Sequence, residues 1–388
     1  MRKLWLIFSQ SATVCLAVVF VIATLRPELL PGSGPGGPAR PVVTVSQPPA
    51  PGTPDPGRAV TLAHAAAKAM PSVVNVFTSK EAAAAQRHPF LDDPAFRKFF
   101  GDSFEGEPRR SSSLGSGVIV TADGYVLTNH HVVEAADNIE IALADGRKAS
   151  ARLVGSDPET DLAVLKTDLD GLRPATFGGG DSSRVGDVVL AIGNPYGVGQ
   201  TVTMGIVSAT GRSHLGINTF ENFIQTDAAI NPGNSGGALV DASGNLIGIS
   251  TAIYSQTGGS IGIGFAIPAS LAQQVLEQII TSGSVTRGWI GVEVQDLTPE
   301  LADSFKVGST RGALISGVLR GGPAERAGVR PGDVMVFVES SPVLDSASLL
   351  NLVAALKPGQ NATLKVLREK REVALKVNVA RRPTPRSP

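Results

Sequence analysis

The chain has 388 residues, a length that suggests two or three domains, with 34 Lys+Arg balanced by 34 Asp+Glu. Zero net charge without a basic run argues against nucleic acid as the main partner, because phosphate binding needs a basic excess or at least a basic patch. A single cysteine, Cys15, excludes an intramolecular disulfide, a CxxC redox pair and a cysteine-based zinc site, and 44 Gly with 27 Pro favour short strands and turns over long helices.

Residues 4–25 carry no charge, and 22 residues of helix span about 33 Å, enough for a hydrocarbon core of about 30 Å. Arg2 and Lys3 precede this segment, so the positive-inside rule puts the N-terminus in the cytoplasm and the remainder outside. A cleaved signal peptide is the competing reading. Ile22-Ala23-Thr24-Leu25-Arg26 is a poor cleavage site, so the segment is expected to persist as a transmembrane signal-anchor. Residues 26–58 hold ten of the 27 prolines, mixed with Gly and Ser. Such a stretch buries no core and reads as an extended linker.

The body from 59 to 284 reads as mostly β. A short helix at 59–70 ends at Pro71. Runs rich in Val, Ile and Leu follow at 73–77, 117–120, 125–128, 139–143, 149–154, 162–166, 188–192, 201–209, 223–226, 238–240 and 246–252. About a dozen short strands with no long helix between them predict a barrel or sandwich. Leu271, Val275, Leu276 and Ile279 share one face of a helix at 269–282. Residues 79–113 interrupt the pattern and carry Phe90, Phe96, Phe99, Phe100 and Phe104. A loop this long and aromatic is read as an interaction loop.

Three segments carry chemistry. In Asn231-Pro-Gly-Asn-Ser-Gly-Gly237 a serine sits in a glycine-rich turn. A serine hydroxyl needs a base to take its proton and N–H donors aimed at the oxyanion. Gly233, Asn234 and Ser235 are the candidate donors. In Thr128-Asn129-His130-His131 a histidine pair follows a strand; a metal site there lacks a third ligand at matched spacing. In Asp157-Pro-Glu-Thr-Asp161, Asp161 begins an apolar strand and is the candidate carboxylate to orient an imidazole. Asp157 is the runner-up and is expected to be exposed in its proline turn. The order His131, Asp161, Ser235 is the chymotrypsin-type order.

Together these segments resemble the HtrA/Deg serine proteases, and within them the membrane-anchored DegS-like (AlgW-like) branch. The resemblance rests on GSGVIVTADGYVLTNHHVV, DPETDLAVLK, GNPYGVGQTVTMGIVSATGR, NFIQTDAAINPGNSGGAL and GIGFAIP and covers about residues 59–380. It implies a chymotrypsin-like pair of six-stranded β-barrels with a triad in the cleft and no cofactor or metal. The family pattern T-N-x-H-V assigns the catalytic role to His131 and leaves His130 variable. Trypsin-like enzymes carry Asp six residues before the nucleophile; Ala229 stands there. A small apolar substrate pocket near Ala229, Ile230, Ile249 and Ser250 is expected, without preference for Lys or Arg.

Residues 287–380 resemble one PDZ domain, and 381–388 form a tail. The signature is Arg287-Gly-Trp-Ile-Gly-Val292 with GGPAERAGVRPGDVMVFVES and a helix at about 345–356. Such a domain adds an extended peptide to a sheet edge and holds its carboxylate on clustered N–H groups. Trp289, Ile290, Gly291 and Val292 form that loop; Ile290, Val292, Leu349, Leu350 and Val353 would receive the last apolar side chain. In the DegS-like branch a C-terminal peptide on PDZ shifts an inactive protease toward its active state, and the matching positions are Tyr196, Arg212 and Gln225. The resemblance thus implies a periplasmic, inner-membrane-anchored homotrimer. Its activators would be C-termini of misfolded outer-membrane proteins and its substrate an anti-sigma factor. A broad quality-control protease and a catalytically silent PDZ scaffold are the alternatives.

Overall fold

The computed structural model describes residues 61–80, 111–178, 183–194, 199–253, 259–305, 307–308 and 310–383, with Trp5, Thr13 and Val14. The anchor at 4–25 lies outside these apart from those three residues. The linker, the five loop phenylalanines, Tyr196 and the last five residues lie outside them too. No helix among the described residues is long and apolar enough to cross a membrane. Residues 61–383 belong to one compact unit.

Helix α1 (Leu62–Ala69) runs into a 3-10 turn, Met70–Ser72, where proline ends it. Six strands follow: β1 (Val73–Lys80), β2 (Ser111–Ile119), β3 (Tyr125–Thr128), β4 (Asn138–Ala142), β5 (Lys148–Asp157) and β6 (Leu162–Thr167). They close into a barrel in the order β1-β2-β3-β6-β5-β4. One turn of helix, α2 (His130–Val133), follows β3. The next six are β7 (Val188–Gly193), β8 (Thr201–Arg212), β9 (Phe223–Thr226), β10 (Ala238–Asp241), β11 (Leu246–Ile253) and β12 (Gly264–Pro268). They close a second barrel in the order β7-β8-β9-β12-β11-β10, which repeats the winding of the first. Helix α3 (Ala269–Ser282) ends at Gly283, whose φ of 74 supplies the left-handed cap. Its buried face, Ala272, Val275, Leu276 and Ile279, joins the apolar cluster that holds Val118, Leu127, Phe177 and Ile249 from both barrels.

The remaining elements build the second domain. They are β13 (Gly288–Trp289), β14 (Val292–Asp296), α4 (Pro299–Ser304), β15 (Ala313–Val318), α5 (Pro323–Arg326), β16 (Val334–Val338), β17 (Ser341–Pro342), α6 (Ser346–Ala354), β18 (Asn361–Arg368), β19 (Arg371–Asn378) and β20 (Ala380–Arg381). The main sheet runs β14-β15-β16-β18-β19, so β14 is an edge strand facing α6. Ile290, Ile315, Leu349, Val353 and Leu364 fill a separate core.

Candidate active site

The three chemistry-bearing segments meet where the barrels face one another. His131 sits on the single turn of α2 after β3. Asp161 immediately precedes β6, with φ 59, a left-handed backbone uncommon for a residue with a side chain. That bend is held from outside: the Asp161 carbonyl accepts from His130 N–H at 3.1 Å and from Asn129 Nδ2 at 2.9 Å. It turns the carboxylate onto His131. Oδ2 lies 2.8 Å from His131 Nδ1, and Oδ1 accepts from the His131 N–H at 2.9 Å. Thr251 Oγ1 donates to the same Oδ2 at 2.7 Å. Burial pushes the Asp161 carboxyl up, but the bonds from His131 and Thr251 outweigh it and hold the group below its ordinary value.

Ser235 lies in the turn between β9 and β10, and that turn is bolted to the first barrel. Ser116 N–H donates to the Ser235 carbonyl at 2.8 Å, and Ser116 Oγ donates to the Gly233 carbonyl at 2.6 Å while accepting from Asn194 N–H at 2.9 Å. Gly236 has φ 82, and a Cβ there would stand 2.1 Å from the Ser116 carbonyl oxygen, so only glycine fits. The Ser235 hydroxyl donates to the Thr251 carbonyl at 3.3 Å and makes no hydrogen bond with His131. The Asn234 N–H is committed to the Asn231 carbonyl at 2.9 Å. Of the expected trio of oxyanion donors, Asn234 is therefore occupied, which leaves the N–H groups of Gly233 and Ser235 as the candidates.

The expected pocket residues are placed differently from one another. Ile230 and Ile249 are 2% and 0% exposed, in two separate core clusters, and leave no surface for a substrate side chain. Ala229 is half-buried, and Ser250 is buried with an unpartnered hydroxyl. Arg212 donates from Nε to Gln225 Oε1 at 2.8 Å, linking β8 to β9.

Asp157 corrects an expectation. It is 5% exposed rather than solvated, because Arg287 Nη1 bonds its Oδ1 at 2.8 Å. The Arg287 guanidinium also stacks 4.3 Å from the Phe220 ring centre, and Arg382 Nε bonds Glu159 Oε1 at 2.7 Å. The first and last turns of the second domain thus clamp the segment that ends in Asp161. Loop 213–222 is wound around Glu221, whose carboxylate accepts from the N–H groups of Leu215 at 2.7 Å, Ile217 at 2.7 Å and Asn218 at 3.1 Å.

In the second domain the loop carbonyls of Ile290 and Gly291 accept from Ala324 and Leu319 N–H, at 2.8 and 2.9 Å. Gly291 has φ 77, which the turn into β14 requires. Ile290, Leu349 and Val353 are closed into the core, whereas Trp289, Val292 and Leu350 are half-exposed beside β14 and α6. Thr251, Ser116 and Glu221 were not legible as site residues. The GSG at 115–117 was the one signal for Ser116.

Comparison with known proteins agrees with this geometry. Residues 115–249 match the trypsin-like peptidase domain family and residues 288–379 the PDZ domain family. A probable periplasmic serine endoprotease DegP-like of Chlamydia trachomatis is 46% identical over 336 residues, covering 82% of this chain and 68% of the relative. A protein of the same description from Ectopseudomonas mendocina is 44% identical over 332 residues, covering 81% of this chain and 69% of the relative. The solved HtrA-type protease AlgW with tripeptide is 54% identical with a TM-score of 0.72, over 84% of this chain and 98% of that one. The serine endoprotease from Yersinia pestis is 38% identical with a TM-score of 0.61, over 83% of this chain and 98% of that one. With two barrels, a triad-like cluster between them and one PDZ domain behind, this chain belongs to the HtrA family of serine endopeptidases.

Proposed function

We propose that His131, Asp161 and Ser235 are the catalytic triad of a periplasmic endopeptidase that is controlled by C-terminal peptides at its PDZ domain. The observation that carries this reading is the Asp161 carboxylate held by His131 and Thr251 beside a serine turn anchored to both barrels. In the reaction His131 Nε2 takes the Ser235 proton as Oγ attacks the scissile carbonyl carbon. The N–H groups of Gly233 and Ser235 receive the oxyanion. The tetrahedral intermediate collapses to an acyl-enzyme as His131 gives its proton to the leaving amine, and water then repeats the sequence to release the acid. Asp161 fixes the imidazole tautomer and stabilises the imidazolium.

Control by the PDZ domain is supported by the serine itself. Its hydroxyl donates to the Thr251 carbonyl and makes no hydrogen bond with His131, so it must be redirected before attack. A ligand can drive such a change only through different affinity for the two states. The clamp of Arg287 and Arg382 on the 157–161 turn gives the PDZ domain a physical hold on the segment that ends in Asp161. The solved relative AlgW carries a tripeptide, which supports a peptide ligand here. We further assign the 4–25 segment as an inner-membrane anchor and the assembly as a homotrimer. The activators are C-termini of misfolded outer-membrane proteins and the substrate is a membrane-spanning anti-sigma factor. With Ala229 in place of an acid, cleavage after Val or Ala is expected to exceed cleavage after Arg.

The test is peptidase activity of the full-length protein, with and without a panel of apolar C-terminal peptides, beside Ser235→Ala. Activity that rises with peptide and vanishes in the variant supports the reading. Equal rates with and without peptide overturn the control, and an unaffected Ser235→Ala overturns the triad.

A further inference from the structure

At one end of the groove between β14 and α6 stands a side chain of the protease domain, His214. Within β14, Val292, Val294 and Asp296 alternate onto one face. The two valines pack on the PDZ core, and Asp296 reaches the first turn of α6, where Oδ1 accepts from Ser346 N–H at 2.8 Å. A cavity of about 230 Å³ lies between Val294, Ala347 and Leu350 on one side and His214 and Glu221 of the protease loop on the other. His214 has φ 64, a left-handed backbone that turns its ring out of the loop. The ring stands between two carboxylates of the PDZ domain. Nδ1 is 3.3 Å from Asp296 Oδ2, and Nε2 is 3.9 Å from Asp345 Oδ2. Both acids are about half exposed, so solvent and a ligand can reach them.

We propose that His214 is an internal occupant of a ligand position, and that this position selects C-terminal peptides carrying Lys or Arg four residues before the last. The proposal rests on the reading of residues 287–380 as a C-terminal-peptide domain. A peptide added antiparallel to β14 with its last residue opposite Val292 puts the second residue upstream opposite Val294 and the fourth opposite Asp296. There its side chain meets Asp296 and Asp345. An ammonium or guanidinium on a flexible stem satisfies both carboxylates and replaces the imidazole. A carboxylate meets two like charges and is rejected. Entry of the basic residue expels His214 and frees loop 213–222 from the groove.

The test uses the full-length protein in detergent micelles and three fluorescein-labelled decapeptides ending in Ala-Val. They are identical except for Lys, Ala or Glu at the fifth residue from the C-terminus. Fluorescence anisotropy at low salt is expected to rank them Lys, Ala, Glu, with about a tenfold separation between Lys and Glu. Asp296→Asn with Asp345→Asn should bring the three affinities together; asparagine keeps the N-cap acceptor that α6 uses at 345. His214→Ala should tighten the Ala peptide about threefold, because the competitor is gone. Equal binding of the three peptides, or an unchanged ranking in the double variant, overturns the selection while leaving the domain a peptide binder. Absence of binding by all three overturns the peptide reading of the domain itself.

Discussion

Asp161 combines a left-handed backbone, a side chain 11% exposed and three donors on one carboxylate. The sequence pointed to it through its place at the start of an apolar strand, but could not show Thr251, ninety positions further on. In the proposed mechanism Asp161→Asn leaves the packing intact and presents the wrong tautomer, so kcat should fall about ten-thousand-fold with an unchanged far-ultraviolet spectrum. Thr251→Val keeps the volume and removes one bond to a charged oxygen. Such a bond contributes roughly 1.5–3 kcal/mol, so peptidase kcat should drop by about ten- to a hundredfold. The carboxyl is held below its unfolded value of 3.8, so its stabilising bonds are fully present above that pH and lost as pH falls through the lower folded value. Urea titrations should therefore show a stability gap between the parent protein and Asp161→Asn that is present above about pH 4 and narrows as the pH falls below that.

At the level of elements, legibility followed length and periodicity. β3 and β9 lie where the apolar runs at 125–128 and 223–226 placed them. α2 is a single turn, too short for any period to appear, although it carries His131. β12 was missed because Gly264 and Pro268 bound it; Phe265 and Ile267 nonetheless join the main core. The turn at 157–161 is the clearest case of what sequence cannot give. A proline turn between polar residues reads as exposed, yet Asp157 is buried because Arg287 arrives from 130 positions away. Removing one partner of a buried pair strands the other charge. Asp157→Asn and Arg287→Met should each cost about 3–5 kcal/mol, and the double variant less than either. A double variant as destabilised as the sum of the singles in thermal unfolding would contradict this account.

Across the molecule, the described apolar clusters keep to their own domains. The protease clusters draw on residues 62–285, and the PDZ clusters draw on residues 290–379. Among the described residues, the contacts that join the domains are mainly polar: Arg287 and Arg382 on Asp157 and Glu159 and over the Phe220 ring, His214 on Asp296 and Asp345, and Asn351 Nδ2 on the Glu221 carbonyl at 3.3 Å. A junction of this kind transmits position without merging the two cores, since interfaces short of apolar burial leave domains able to unfold separately. The pairs also differ in burial. Arg287 and Asp157 are 9% and 5% exposed at their side chains, whereas His214 and Asp296 are 43% and 48% exposed. Salt screens exposed pairs and spares buried ones. Scanning calorimetry of the full-length protein should therefore resolve two transitions, with their separation nearly unchanged between about 0.05 and 0.5 M salt. Arg287→Met should move the two apart or lower both, because the buried clamp is the part of the junction that salt leaves intact. A single transition that persists in Arg287→Met would mean that the domains are coupled through contacts other than these polar ones.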